Sequence, residues 1–139
     1  GSPLLEEALR AIWAPPPVEL DDRIMRFPLF TGDVADVVAF LLGRGDIAGV
    51  VHCGAPFGVT RYGWAGFVAK CLGVGSDGLV PASHDNKRAA PRPVNSQLAV
   101  DRLRTLGGPL PRGAGEVLPG VLARCGDWVQ FLRDELNRK

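Results

Sequence analysis

Apolar residues recur at helical spacing from Pro3 to Trp13, where Leu4, Leu5, Ala8, Leu9 and Ile12 share one face. Glu6 and Glu7 lie near the start of that stretch, where the helix dipole favours carboxylates, and Ala14-Pro15-Pro16-Pro17 ends it. Val18 to Phe30 reads as extended chain, with Pro28 forcing Phe27 out of the helical region. Thr31-Gly32-Asp33 then offers caps for a helix through Leu42, with Asp33 as N-cap and Asp36 as a first-turn acid. Its apolar positions are Val34, Val37, Val38, Leu41 and Leu42. Gly49-Val50-Val51-His52-Cys53 is nearly all apolar and comes after a glycine-rich turn, which predicts a buried strand. That strand is expected to be central, with the helices Asp33–Leu42 and Thr60–Leu72 packed beside it.

Thr60 can cap the helix that starts at Arg61, and Gly73 closes it. Leu79-Val80-Pro81 predicts a second short strand, and His84 to Pro93 is polar and proline-interrupted, hence loop. Leu98 to Leu106 predicts a short helix, and Glu116 to Leu136 a last one with a break near Gly126. Helices alternating with two or three short strands predict an α/β domain with a small mixed sheet and flanking helices.

The 139 residues are 46% hydrophobic and 22% charged, a globular balance that rules out a disordered tail. They suit one domain over residues 3–139, behind a Gly1-Ser2 pair that reads as a cloning scar on a piece of a longer protein. The net charge of +1 gives no electrostatic footprint for nucleic acid or an anionic membrane. No apolar run approaches the roughly 18–20 residues of a membrane span. Cys53, Cys71 and Cys125 form no CxxC pair and have only two His for company. They read as buried thiols in a reducing, cytoplasmic compartment and not as a metal site.

Tyr62 is the only tyrosine and Gly66 stands four residues on, so no Tyr-x-x-x-Lys pair occurs in the chain. Gly73-Val74-Gly75-Ser76-Asp77-Gly78 matches G-x-G-x-x-G as a string. The dinucleotide fingerprint needs a strand before it and a helix after it, and here the expected order is the reverse. These residues are therefore assigned no catalytic role and no cofactor. Among single residues, His52 reads as a hydrogen-bonded core histidine, and Trp64 with Phe67 as a core pair. Arg26 is a candidate partner for the Asp33 helix.

Four segments in order carry a family resemblance. They are Asp22-Arg23-Ile24-Met25-Arg26-Phe27-Pro28 leading into Thr31-Gly32-Asp33-Val34-Ala35, then Gly49-Val50-Val51-His52, then Thr60-Arg61-Tyr62, then Arg92-Pro93-Val94-Asn95-Ser96-Gln97-Leu98. Over roughly Val18 to Leu122 the chain resembles the C-terminal half of the dTDP-4-dehydrorhamnose reductase family. These are Rossmann-type, extended short-chain dehydrogenase-like proteins that handle nucleotide sugars. Arg26-Phe27-Pro28 and Thr60-Arg61-Tyr62 are also similar to a branch that includes the regulatory beta subunit of methionine adenosyltransferase.

The resemblance implies a substrate-binding domain whose Rossmann half, absent here, carries NADP(H) and the Tyr-x-x-x-Lys pair. The implied partners are that half and a nucleotide sugar, and the domain alone is expected to be inactive. Members often place an acid at the position of Gly63 and an Asp at that of Ala99, and losing both caps marks a divergent chain. A non-catalytic regulatory or interaction module, binding a protein partner, is therefore the alternative. The loop from His84 to Asn95 is longer than the usual two to six residues of an α/β connection. His84, Lys87, Arg88, Arg92 and Asn95 are expected to line the substrate mouth, with Arg92 gripping a diphosphate or tying the loop to Asp33. Asn95 and Ser96 also suit a role in capping the following turn.

Overall fold

Every helix that the apolar spacing predicts is present in a computed structural model, which describes residues 3–82 and 93–138. The order is α1 (Pro3–Ile12), β1 (Val18–Asp21), α2 (Thr31–Leu42), α3 (Arg61–Leu72), β2 (Leu79–Ala82), α4 (Asp101–Thr105), α5 (Ala114–Arg124) and α6 (Gly126–Leu136). The fold is α/β. β1 and β2 pair in parallel, with Val18 opposite Leu79 and Asp21 opposite Ala82. An antiparallel bridge joins Arg26 to Val59 outside that pair.

α3 is apolar on several sides, and such a helix is stable only when it is covered on several sides. It packs against α1, α5, β1 and β2. Ala65 and Val68 on α3 and Leu9 on α1 are fully buried in the main core, with Leu118 of α5 and Leu132 of α6 around them. Trp64 and Phe67 form the expected core pair, their rings 6.2 Å apart and tilted by 47°. The break near Gly126 also holds, since α5 stops at Arg124 and α6 starts at Gly126.

Gly73 ends α3 with φ of 67°, and the next amide, Val74 N–H, reaches back to Ala69 O at 3.1 Å. This is the Schellman closure, which favours glycine. A Cβ at Gly73 would meet no atom within 4 Å, so Gly73→Ala adds left-handed strain without a clash. The expected cost is about 1–2 kcal/mol, read as a lower urea midpoint at unchanged slope.

The central strand does not form. Residues 49–53 carry no ladder, and Val50 is 72% exposed. A strand needs a neighbouring backbone, and β1 and β2 take each other, while the carbonyls of Ala48 and Val50 are claimed by the Arg102 side chain. His52, on the same segment, is accordingly exposed and is not a core histidine.

α2 also departs from expectation. The main core draws nothing from it, and Val38 and Leu42 are 47% and 82% exposed. Its N-cap is Phe30, which puts Asp33 inside the first turn, where its carboxylate serves a distant arginine instead of a cap. The three cysteines are free and half-buried, not buried, and partial burial still pushes the Cys53 and Cys71 thiols up. α4 is shorter than expected because no side chain caps it: its N-cap is Val100, and Leu98 stays 47% exposed. No helix among the described residues is long and apolar enough to cross a membrane.

Candidate functional site

A parallel strand pair puts both carboxyl ends on one edge, where the chain must leave the sheet in loops that commonly bind ligands. Here that edge lies at Asp21 and Ala82, the paired last residues of β1 and β2. Asp22 N–H donates to Ala82 O at 3.1 Å, extending the pair by one bond. Asp21 then folds its carboxylate back onto the amides of Arg23 and Ile24, at 3.2 and 3.3 Å, and turns the chain. Arg26 and Val59 exchange two backbone bonds of 2.8 Å, which brings the start of α3 to the same edge.

Thr60 sits there as the N-cap. Its hydroxyl accepts from Gly63 N–H at 3.0 Å and donates to Asp22 Oδ1 at 2.6 Å. Gly63 supplies an amide and no carboxylate, so only half of a capping box is made. Thr60→Ala removes both bonds and is expected to lower stability by about 1 kcal/mol and at most about 2 in urea unfolding. Arg61 forms an ion pair with Glu7 and so braces α3 against α1.

The described residues on either side of 83–92 both lie at this edge. Ala82 accepts from Asp22, and Val94 O accepts from Met25 N–H at 2.8 Å. Of the predicted site residues, His84, Lys87, Arg88 and Arg92 lie outside the described residues. Asn95 is exposed at the edge, one residue past Val94, and its Oδ1 accepts from Gln97 N–H at 2.8 Å. That is the turn-capping role its spacing allows. Gln97 in turn donates from Nε2 to Pro56 O at 3.3 Å.

Asp33, expected as an N-cap, is 5% exposed and is matched by an arginine that sequence reasoning missed. Arg112 donates from its backbone N–H to Oδ2 at 2.9 Å and from Nε and Nη2 to Oδ1 at 2.9 and 2.5 Å. These bonds hold the Asp33 carboxyl below the usual carboxylate range, against the opposing effect of burial. Arg92, an expected partner, lies outside the described residues. Arg112 lies 79 residues from Asp33 in a proline-flanked stretch without periodicity, so no local pattern pointed to it.

The glycine string at 73–78 comes after a helix and before β2, as expected. A helix C-terminus presents carbonyls, and phosphate needs amides, so a dinucleotide does not fit there. Among the described residues no three His, Cys, Asp or Glu side chains gather as a metal site would require.

The family profile for the RmlD substrate binding domain matches residues 4–125. The chain belongs to this family. RmlD-type domains are the substrate-binding part of the dTDP-4-dehydrorhamnose reductase family, so the chain is of a sugar-nucleotide reductase-like kind. The match extends the resemblance from Val18 back through α1, and α6 lies beyond it. Comparison with curated proteins gives no match.

Proposed function

We propose that this RmlD-type domain binds a nucleotide sugar at the carboxyl edge of β1 and β2. It serves a reductase whose NADP(H) is held by a Rossmann half elsewhere in the protein. The observation that carries the reading is the convergence of Ala82 and Val94 on one edge, which brackets the arginine-bearing stretch 83–92. Arg92 is the proposed diphosphate clamp, since a guanidinium matches paired phosphate oxygens bidentately. Lys87, Arg88 and His84 add cationic or donor groups, and Asn95 shapes the turn at residues 95–97. The exposed apolar positions Val38, Leu42 and Val50 are proposed to pack against the Rossmann half. Free thiols at Cys53, Cys71 and Cys125 suit a reducing compartment such as the cytoplasm.

The test is calorimetric titration of the full-length protein with a dTDP-sugar. Arg92→Ala is expected to weaken binding by about 1.5–3 kcal/mol with an unchanged melting temperature. A lower melting temperature with intact binding would make Arg92 a brace. The missing caps at Gly63 and Ala99 keep one alternative in play, a regulatory or interaction module resembling the methionine adenosyltransferase beta subunit. A full-length protein that binds the sugar nucleotide but never oxidises NADPH would favour it.

A further inference from the structure

The main core draws no described residue from α2 or α4, yet Val37 on α2 is 3% exposed and Leu103 on α4 is fully buried. Both are therefore covered outside that core. Gly108 marks where the two helices meet. A Cβ there would stand 2.5 Å from Leu103 Cδ1 and 2.9 Å from Phe40 Cε1, so both side chains close over bare backbone. Arg44, just past the end of α2, holds its guanidinium 5.5 Å from the Phe40 ring centre and donates from Nη1 to Leu106 O at 3.5 Å. Arg102 of α4 donates from Nη1 to Val50 O at 2.6 Å and from Nη2 to Ala48 O, which draws in the chain after α2.

This second body meets the main one at a backbone seam and an ionic one. Met25 N–H donates to Val94 O, and Arg26 exchanges two bonds with Val59. Three passages of the chain between the bodies thus cross at one place on the carboxyl edge. The ionic seam is Asp33 of α2, held by Arg112 before α5. A unit's resistance to opening follows the apolar surface it buries, and the second centre is much the smaller of the two. We propose that α2, α4 and residues 106–108 open by local unfolding as one cooperative unit, hinged at Met25 and Arg26, while α1, α3 and the sheet stay closed. The unit owes nothing to the identity of a ligand at that edge.

Amide hydrogen exchange on the whole 139-residue chain tests it, read at amides whose bonds the opening must break. In α2 these are the helical amides, with Gly43 N–H on Ala39 O at 3.3 Å closing the helix. At α4 they are Arg104, Leu106 and Gly108 N–H on Val100 O, Arg102 O and Leu103 O, each at 3.0 Å. Both sets are expected to share one opening free energy, below that of α1 and α3. Ala39→Gly changes an exposed position of α2 alone. It is expected to speed exchange in α4 by the same factor as in α2, about fivefold for glycine in place of a helical alanine. The amides of α1, α3, Met25 and Val59 are expected to stay as they were. A rise confined to α2, or one that reaches α3, would overturn the proposal. Gly108→Ala attacks the shared centre from the other side. It is expected to speed exchange in both helices together, up to complete loss of protection, with α1 and α3 still protected. A rise at α4 without α2, or loss in α1 and α3 as well, would also overturn it.

Discussion

Trp64→Ala is expected to lower the stability of this domain by about 3–5 kcal/mol, the range for removing a large aromatic from a core. Trp64 is 4% exposed on the helix that touches both strands, α1 and α5. Its indole N–H donates to Leu4 O at 3.1 Å, so the substitution also removes a side-chain bond between α3 and α1. The ring already walls an apolar groove of about 530 Å³ with Leu5, Phe30, Leu118 and Val121. Truncation would enlarge that void. Trp64→Phe separates the two effects. It keeps most of the apolar area and loses the hydrogen bond, with an expected cost of about 1 kcal/mol. Urea unfolding measures both, and a loss below about 1 kcal/mol for the alanine variant would show that the core does not centre on α3.

The features legible in the sequence were those that short-range rules control. α1 and α3 follow from apolar spacing, and the ends of α3 follow from Thr60 and Gly73, whose roles depend only on neighbours within five residues. β2 was legible as an apolar triplet between turns. The failure at 49–53 is instructive, because the same composition that marks a buried strand also marks a surface awaiting a partner. An apolar run forms a strand only where a second backbone lies alongside, and here Arg102, 52 residues from Val50, lies there instead. α2 failed in the same way, since its apolar positions were assigned to a core that closes without them. The site divides along the same line. The edge and the turn at Asn95 follow from strand ends and local capping, whereas the partner of Asp33 is a long-range fact.

Asp33→Asn is expected to cost about 1.5–3 kcal/mol at neutral pH, the range for hydrogen bonds to a charged group. The carboxylate is buried and takes three bonds from Arg112. An amide of the same shape offers one acceptor oxygen without charge, so the fork and the backbone amide cannot both be satisfied. The pH dependence distinguishes this from a packing defect. Arg112 lowers the folded-state pKa of Asp33, so the unfolded chain binds the proton more readily. The pair's contribution is therefore complete above the ordinary carboxylate value of about 3.9 and fades as pH falls through the lower folded value. The gap between the unmodified protein and Asp33→Asn should be widest from about pH 5 to 7 and close in acid. A gap of equal size at neutral pH and in strong acid would show that Asp33 acts by shape alone. Because α2 stands outside the main core and is tied to the stretch before α5 by this pair, the variant should also lose exchange protection in α2 first. The same tie holds Val38 and Leu42 where the proposed Rossmann half would meet them, so weaker assembly with that half is expected to accompany the lost protection.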